Sequence, residues 1–362
     1  MSKFIICGMD VHEKSIKMMW AVDNGAPELK DLPNTPGGRL CLISHLKGAA
    51  RAVGCTEIVV AYEACMLGFG LHDQLMAAGI TCHVLAPSKI RKSRHDVKRK
   101  TDEADARLIL ETLRACLLAG NTLPAVWVPS PEQRADRELV RARLEIGNKT
   151  TELKTQISML LKTHSITRPP KVGKPWTLGY RAWLAGLTRD QATLPLQTRL
   201  VLGSMLRQLK NLETEARLLN NAVATLADTP RYKATVEKLT ESLMGVGVLT
   251  AMVFLTELGD LTRFKNRRQL GSYLGLAPTS NESGQITDRK GHISRTGPSR
   301  VRWALCQATW CHIRLTPEAK AAYERIRKGK DKLKRVAQTA CCRQLAIKMW
   351  HMAVDVLKTK AA

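Results

Sequence analysis

Glu57–Tyr62 reads EIVVAY, and the next residue is Glu63. β-Branched and aromatic residues crowd these six positions, so they predict a buried strand with a carboxylate at its end. Phe4–Met9 has the same apolar character and runs into Asp10. Ser15–Val22 reads as another strand, closed by an Asp23-Asn24-Gly25 turn, and Thr81–Leu85 as a further one. Helical spacing occupies Arg39–Val53 and Leu67–Ala78. After a basic loop, Lys89 to Lys100, a helix runs from about Asp102 to Leu118. Strands interleaved with helices predict an α/β domain, a mixed sheet covered by helices, over 1–128.

The rest reads as all-α. Pro131 to His164 is one long helix with Leu139, Ile146, Leu153 and Leu160 spaced by sevens. A Pro/Gly-rich break (RPPKVGKP, Arg168 to Pro175) precedes a second long helix. That helix carries Leu202, Leu209, Ala216 and Val223 with Met205, Leu212, Leu219 and Leu226, the a/d pattern of a coiled coil. The two helices form a connector over 129–230, pairing within the chain or between chains. Over 231–362 the chain is helical again. Leu243–Leu258 resembles a helix-hairpin-helix, whose Gly-Val-Gly turn either offers amides to a phosphate or lets helices pack closely. A short helix ends near Leu274, a loop spans Pro278–Pro298, and helices follow over Ser299–Arg314, Pro317–Arg327 and Lys332–Leu357.

Charge narrows the partners. With 57 Lys+Arg against 32 Asp+Glu the net charge is +25, so a polyanion is the natural ligand. Arg91, Lys92, Arg94, Lys98, Arg99 and Lys100 form one basic stretch, and Arg289, Lys290, Arg295 and Arg300 another. Both are candidate phosphate-backbone contacts. The ten cysteines include no C-x-x-C, so neither a disulfide framework nor a structural zinc site is expected. MSKFIICGMD lacks a signal-peptide layout, and Leu243–Leu258 is too short to span a bilayer. A protein of the bacterial-type cytosol or nucleoid, with no membrane partner, is the expectation.

Four acids stand in a recognisable order. Asp10 and Glu63 each close a strand, and Asp102 and Asp105, three apart, share one helical face. Singly, each has a structural explanation as a turn residue or a first-turn helix charge. Together they suit one or two Mg2+ ions, with Mn2+ able to substitute, because hard cations take convergent carboxylates and two of them can support an in-line displacement at phosphorus. The layout resembles that of RNase H/RuvC-like nucleases.

The motifs around these acids resemble one family. G-M-D-V-H at Asp10, Y-E-A at Glu63 and K-R-K-T-D-E-A-D-A across Asp102 and Asp105 are similar to the DEDD motif of the bridge-RNA-guided transposases of the insertion sequence 110 family. G-V-G-V-L-T-A, L-G-S-Y-L-G-L-A-P, S-N-E-S-G and G-H-I-S-R-T-G resemble its C-terminal transposase domain. The resemblance implies a RuvC-like N-terminal domain, a coiled-coil connector and a helical transposase domain with a nucleophilic serine. It further implies donor and target DNA as substrates, a noncoding guide RNA, a phosphoserine intermediate, and active sites assembled in a homo-oligomer, dimer to tetramer. By position the serine is Ser283. The family loop reads Ser-Ser-Gly-Gly, and here Glu282 and Gln285 replace its first and last residues. Ser280 and Ser294 are the alternatives.

A serine hydroxyl needs a base or a metal to become nucleophilic, and His292 is nine residues from Ser283. Activation through the acidic site supplies that need. Arg289, Lys290, Arg295 and Arg300 could also steady the transferring phosphate. Two other readings stay open: a RuvC-like nuclease or junction resolvase with water as nucleophile, and a non-catalytic nucleic-acid binder.

Overall fold

The structure is a computed structural model that describes residues 3–55, 57–90, 101–280 and 290–361. It divides into two compact units, Met1–Val128 and Pro129–Ala362.

In the first unit five strands form one sheet: β1 (Phe4–Val11), β2 (Ser15–Val22), β3 (Glu28–Pro33), β4 (Glu57–Glu63) and β5 (Thr81–Leu85), in the order β3-β2-β1-β4-β5. β2 is antiparallel to β1 and β3, whereas β1, β4 and β5 run parallel. Alternation along the strands divides the core. Ile5, Cys7, Met9, Val60 and Tyr62 pack against Leu42 and Leu46 of α1 (Pro36–Val53) and Leu71 and Leu75 of α2 (Gly70–Ala77). Ile6, Met19, Val59 and Ala61 pack against Ala106, Ile109, Leu110 and Leu113 of α3 (Asp102–Leu117). The edge strand β3 has no counterpart in the sequence reading. Its residues, ELKDLP, bury only Leu32, so no apolar alternation marks it.

In the second unit α4 (Pro131–Thr163) and α6 (Leu196–Ala227) lie along one another. Arg143 meets Asn220 and Lys154 meets Glu213, so the pair is antiparallel. The heptad seam faces inward within the chain. Leu202 and Leu209 are buried with Leu153, Ile157 and Leu161, and Val223 with Val140 and Leu144. Of the sevens expected on the first helix only Leu153 is fully buried. The buried line shifts to Val140, Leu144, Ile157 and Leu161 because α4 also packs on other helices, including α5 (Leu178–Leu187), which lies within the segment following the Pro/Gly-rich break.

The remaining elements are α7 (Lys233–Ser242), α8 (Val248–Leu258), α9 (Arg267–Tyr273), the hairpin of β6 (Pro278–Ser280) and β7 (Lys290–Ile293), α10 (Ser299–Leu315), α11 (Pro317–Arg327) and α12 (Lys334–Ala361). Phe254, Leu258, Leu305 and Met349 share one core with Val140 and Val223. At the Gly-Val-Gly turn, a β-carbon on Gly245 would come within 2.7 Å of the His312 amide nitrogen. Close helix packing therefore accounts for this first glycine. Among the described residues, no helix is long and apolar enough to cross a membrane.

Candidate active site

The parallel register pairs Met9 with Tyr62, so Asp10 and Glu63 follow as neighbours at the ends of adjacent strands. Both continue the alternation of Ile6, Gly8 and of Val59, Ala61, which places them on the α3 side of the sheet. α3 comes very close at this point. A β-carbon on Gly8 would lie 2.3 Å from the Leu110 nitrogen and 2.5 Å from the Ala106 oxygen. Only a glycine lets helix and strand approach so far.

The start of α3 is oriented by its cap. Thr101 Oγ1 accepts a hydrogen bond from the Ala104 amide at 3.2 Å. Thr101 thereby fills the capping role, and Asp102, Glu103 and Asp105 occupy the first turn. Three carboxylates there also complement the helix dipole. At the other end, Arg114 donates to the carbonyls of Asp23 (3.0 Å) and Gly25 (2.6 Å), which ties α3 to the β2–β3 turn.

His12, the last residue of G-M-D-V-H, joins this cluster although the acidic pattern alone assigns it no role. Its Nε2 lies 3.1 Å from the Asp10 carboxylate and 3.5 Å from that of Asp102. The ligand atoms of Asp10, His12 and Asp102 all lie within 4.8 Å of one another, a spacing that fits a single metal ion. The available signal was the D-x-H spacing itself, because residues two apart on a strand share a face.

Burial pushes the Asp10 carboxyl above its ordinary range, His12 pulls it part of the way back, and the charges of Asp102 and Asp105 push it up again. Asp105 therefore belongs to the same electrostatic cluster. Lys17 stands opposite Asp10 in the β1–β2 register and donates to Asp31 at 2.9 Å. That bond, more than the nearby charges of Asp102 and Glu103, holds its ammonium pKa above the ordinary value.

In the second unit, β6 and β7 flank residues 281–289. The base of this hairpin is tightly built. Ser294 N–H donates to Ala277 O and Arg295 N–H to Gly275 O. Arg302 Nη1 donates to the carbonyls of Leu274, Thr296 and Gly297 at 3.0–3.1 Å. Gly275 and Gly297 both take positive φ, and a β-carbon on Gly297 would meet Tyr273 O at 1.9 Å. The glycines of L-G-L-A-P and R-T-G thus answer a packing need that sequence reasoning left unassigned.

Ser283, Arg289 and the stretch Arg91, Lys92, Arg94, Lys98, Arg99 and Lys100 lie outside the described residues. Of the alternatives, Ser280 ends β6 next to residues 281–289, and Ser294 stands at the hairpin's base, where its Oγ bonds Thr296 Oγ1 at 3.0 Å. Lys290 begins β7, Arg295 follows that strand in an exposed position, and Arg300 is exposed at the start of α10.

Comparison with known proteins points to an enzyme that cuts and rejoins DNA. A family model described as a transposase, for the DEDD domain, matches residues 7–166, and one described as the IS116/IS110/IS902 transposase family matches residues 237–324. The first model implies a RuvC-like fold for the N-terminal sheet. The transposase-like protein y4qE of Sinorhizobium fredii is 29% identical over 84% of this chain and 77% of its own length. The transposase of insertion sequence element IS1533 from Leptospira borgpetersenii is 25% identical over 86% of each. The transposase of IS1111A from Coxiella burnetii is 27% identical over 71% of this chain and 65% of its own length. The chain belongs to the IS110 family of insertion-sequence transposases.

Proposed function

We propose that this transposase is an RNA-guided recombinase that exchanges DNA strands through a phosphoserine at Ser283, supported by Mg2+ at Asp10, Glu63, Asp102 and Asp105. The observation that carries the reading is the convergence of Asp10, Asp102 and Asp105 beside Glu63 on one sheet edge. Their mutual repulsion is what a divalent cation would relieve, and their oxygens are the donors Mg2+ prefers. His12 adds a nitrogen donor that suits Mn2+ as well. When bound, such an ion polarises phosphoryl oxygens and favours the alkoxide form of an attacking hydroxyl.

The residues' own work follows. Ser283 Oγ attacks phosphorus and gives up its proton to solvent, the Oγ–P bond forms, and the bond from phosphorus to the deoxyribose oxygen breaks, that oxygen taking a proton from solvent and leaving as a free hydroxyl. Attack by a hydroxyl of the partner strand reverses the step, restoring Ser283 and closing the new phosphodiester. The basic stretch from Arg91 to Lys100, with Arg289, Lys290, Arg295 and Arg300, holds phosphate backbones. Guide RNA pairs with donor and target DNA, and protomers assemble as a dimer to tetramer.

The test is denaturing electrophoresis of labelled donor DNA incubated with protein, guide RNA and Mg2+, followed by peptide mapping. A covalent adduct on Ser283, lost in Ser283→Ala, is expected. Free ends released at the normal rate by Ser283→Ala would establish the water-using nuclease instead.

A further inference from the structure

A groove of about 1080 Å3 opens beside the β6–β7 hairpin. Arg267, Arg268, Arg295, Lys332, Arg335 and Arg343 line it, and among the described residues no aspartate or glutamate does. Among the described residues, none of these six cations has a carboxylate partner. Five are exposed; Arg343 is half-buried, its guanidinium lying against Gly271 of α9, where a β-carbon would meet Nε at 2.9 Å. Six unpaired positive charges around one concavity cost free energy through mutual repulsion, and a polyanion removes that cost.

Apolar side chains line the groove as well. Leu276, Ile293, Val336, Ile347 and the half-buried Trp310 face the same space, the Trp310 ring held by Tyr323 at 5.8 Å between centroids. A groove for duplex backbone needs only charge, because paired bases present no faces to the protein. Charges together with aromatic and aliphatic side chains suit unpaired bases, whose rings stack while their phosphates meet arginine. α9, the hairpin, α10 and α12 each contribute, so the shape depends on the tertiary fold rather than one helix.

We propose that this groove binds an unpaired single strand of the DNA being exchanged, holding it next to the hairpin that leads to Ser283. The inference rests on the recombinase reading, since strand exchange is what creates unpaired DNA. It does not require that Ser283 be the nucleophile. Only Arg295 of the six cations was a sequence-level candidate for nucleic-acid contact. Arg267 and Arg268 belong to the basic segment K-N-R-R-Q and Lys332 and Arg335 to a second basic run, but these lie far apart in sequence and only the fold brings them to one groove.

The test measures fluorescence anisotropy of labelled oligo-dT with the full-length protein over a series of salt concentrations. Arg335→Gln with Arg268→Gln is expected to weaken binding about tenfold and to reduce the log–log salt slope by about 1.4, near 0.7 per lost phosphate contact. Trp310→Phe is expected to weaken binding and to reduce the quenching of tryptophan emission by oligo-dT. Lys210→Glu, a charge change at an exposed site on α6, and Ser283→Ala should each bind as the parent does. Oligo-dT affinity and slope unchanged in both groove variants would overturn the proposal. So would a loss confined to guide RNA or to duplex DNA. Loss of oligo-dT binding together with an intact adduct at another serine would sink the Ser283 assignment and leave the groove standing.

Discussion

Arg141 and Glu257 meet in a two-pronged ion pair, Nε to Oε1 at 2.7 Å and Nη2 to Oε2 at 2.8 Å, with the Glu257 carboxylate 5% exposed. The pair ties α4 to α8, and Arg137 Nε adds a bond to Thr256 O at 2.9 Å. Arg141→Met would strand a buried carboxylate and should lower unfolding free energy by about 3 kcal/mol. Arg141→Met with Glu257→Met should recover most of that loss. Guanidinium titration of the three proteins checks it; equal stability for the single variant and the parent would count against a structural role for the pair.

Gly8 decides how close α3 can come to the acidic strand end. Gly8→Ala should cost about 1–3 kcal/mol through overpacking. It should also displace Asp102 and Asp105 from Asp10, so that calorimetric Mn2+ binding weakens more than stability does. Unchanged Mn2+ affinity in a folded Gly8→Ala protein would show that the site tolerates a shifted helix.

Asp10→Asn, Glu63→Gln, Asp102→Asn and Asp105→Asn should each abolish recombination while the fold and RNA binding persist. Asp10 adds a signed expectation. Its folded-state carboxyl titrates above the ordinary value, so the native state holds that proton more tightly than the unfolded chain does. Without metal, stability therefore falls as pH rises through the interval between the unfolded and folded values. In chelator at neutral pH, Asp10→Asn should melt at the parent's temperature or higher, with a flatter pH profile. A clearly lower melting temperature would make Asp10 a structural residue.

Leu209 lies in the intrachain seam between α4 and α6. Leu209→Ala should cost about 2–5 kcal/mol by leaving a cavity. Leu209→Glu should disrupt the helical pair outright. If light scattering showed Leu209→Glu changing only the oligomer, with unfolding free energy intact, the seam would serve assembly instead.

Arg302 bonds three carbonyls with one nitrogen, a task methionine cannot perform. Arg302→Met should leave the melting temperature within a few degrees but raise amide exchange at Ser294 and Arg295 and slow recombination. Unaltered exchange there would mean the glycine contacts hold the hairpin without it.

Much of the first unit was legible because its strands are buried on both sides. FIICGM and EIVVAY carry continuous apolar runs, and the acids stand at the points where those runs stop. β3 escaped because an edge strand with one buried residue has no pattern to read. α5 escaped for another reason, lying as it does after a Pro/Gly-rich stretch that reads as a break. The β6–β7 hairpin looked like loop since a three-residue strand gives no alternation. His12 was visible, but its role needed α3 to arrive from about ninety residues away. The basic groove was not legible as a whole, because α9, the residues after β7, the turn before α12 and α12 itself contribute its charges one or two at a time.

The hairpin base has a consequence for how such enzymes diversify. Its hydrogen bonds and glycine contacts among the described residues join Tyr273–Ala277 to Ser294–Arg302, on the far side of the strands from residues 281–289. Glu282 and Gln285, the two departures from the family's loop, fall inside that interval. The described residues of the base form a socket on which a different segment can be mounted. Relatives could trade it whole, and an engineer could graft Ser-Ser-Gly-Gly into this chain, altering reactivity without renegotiating the fold.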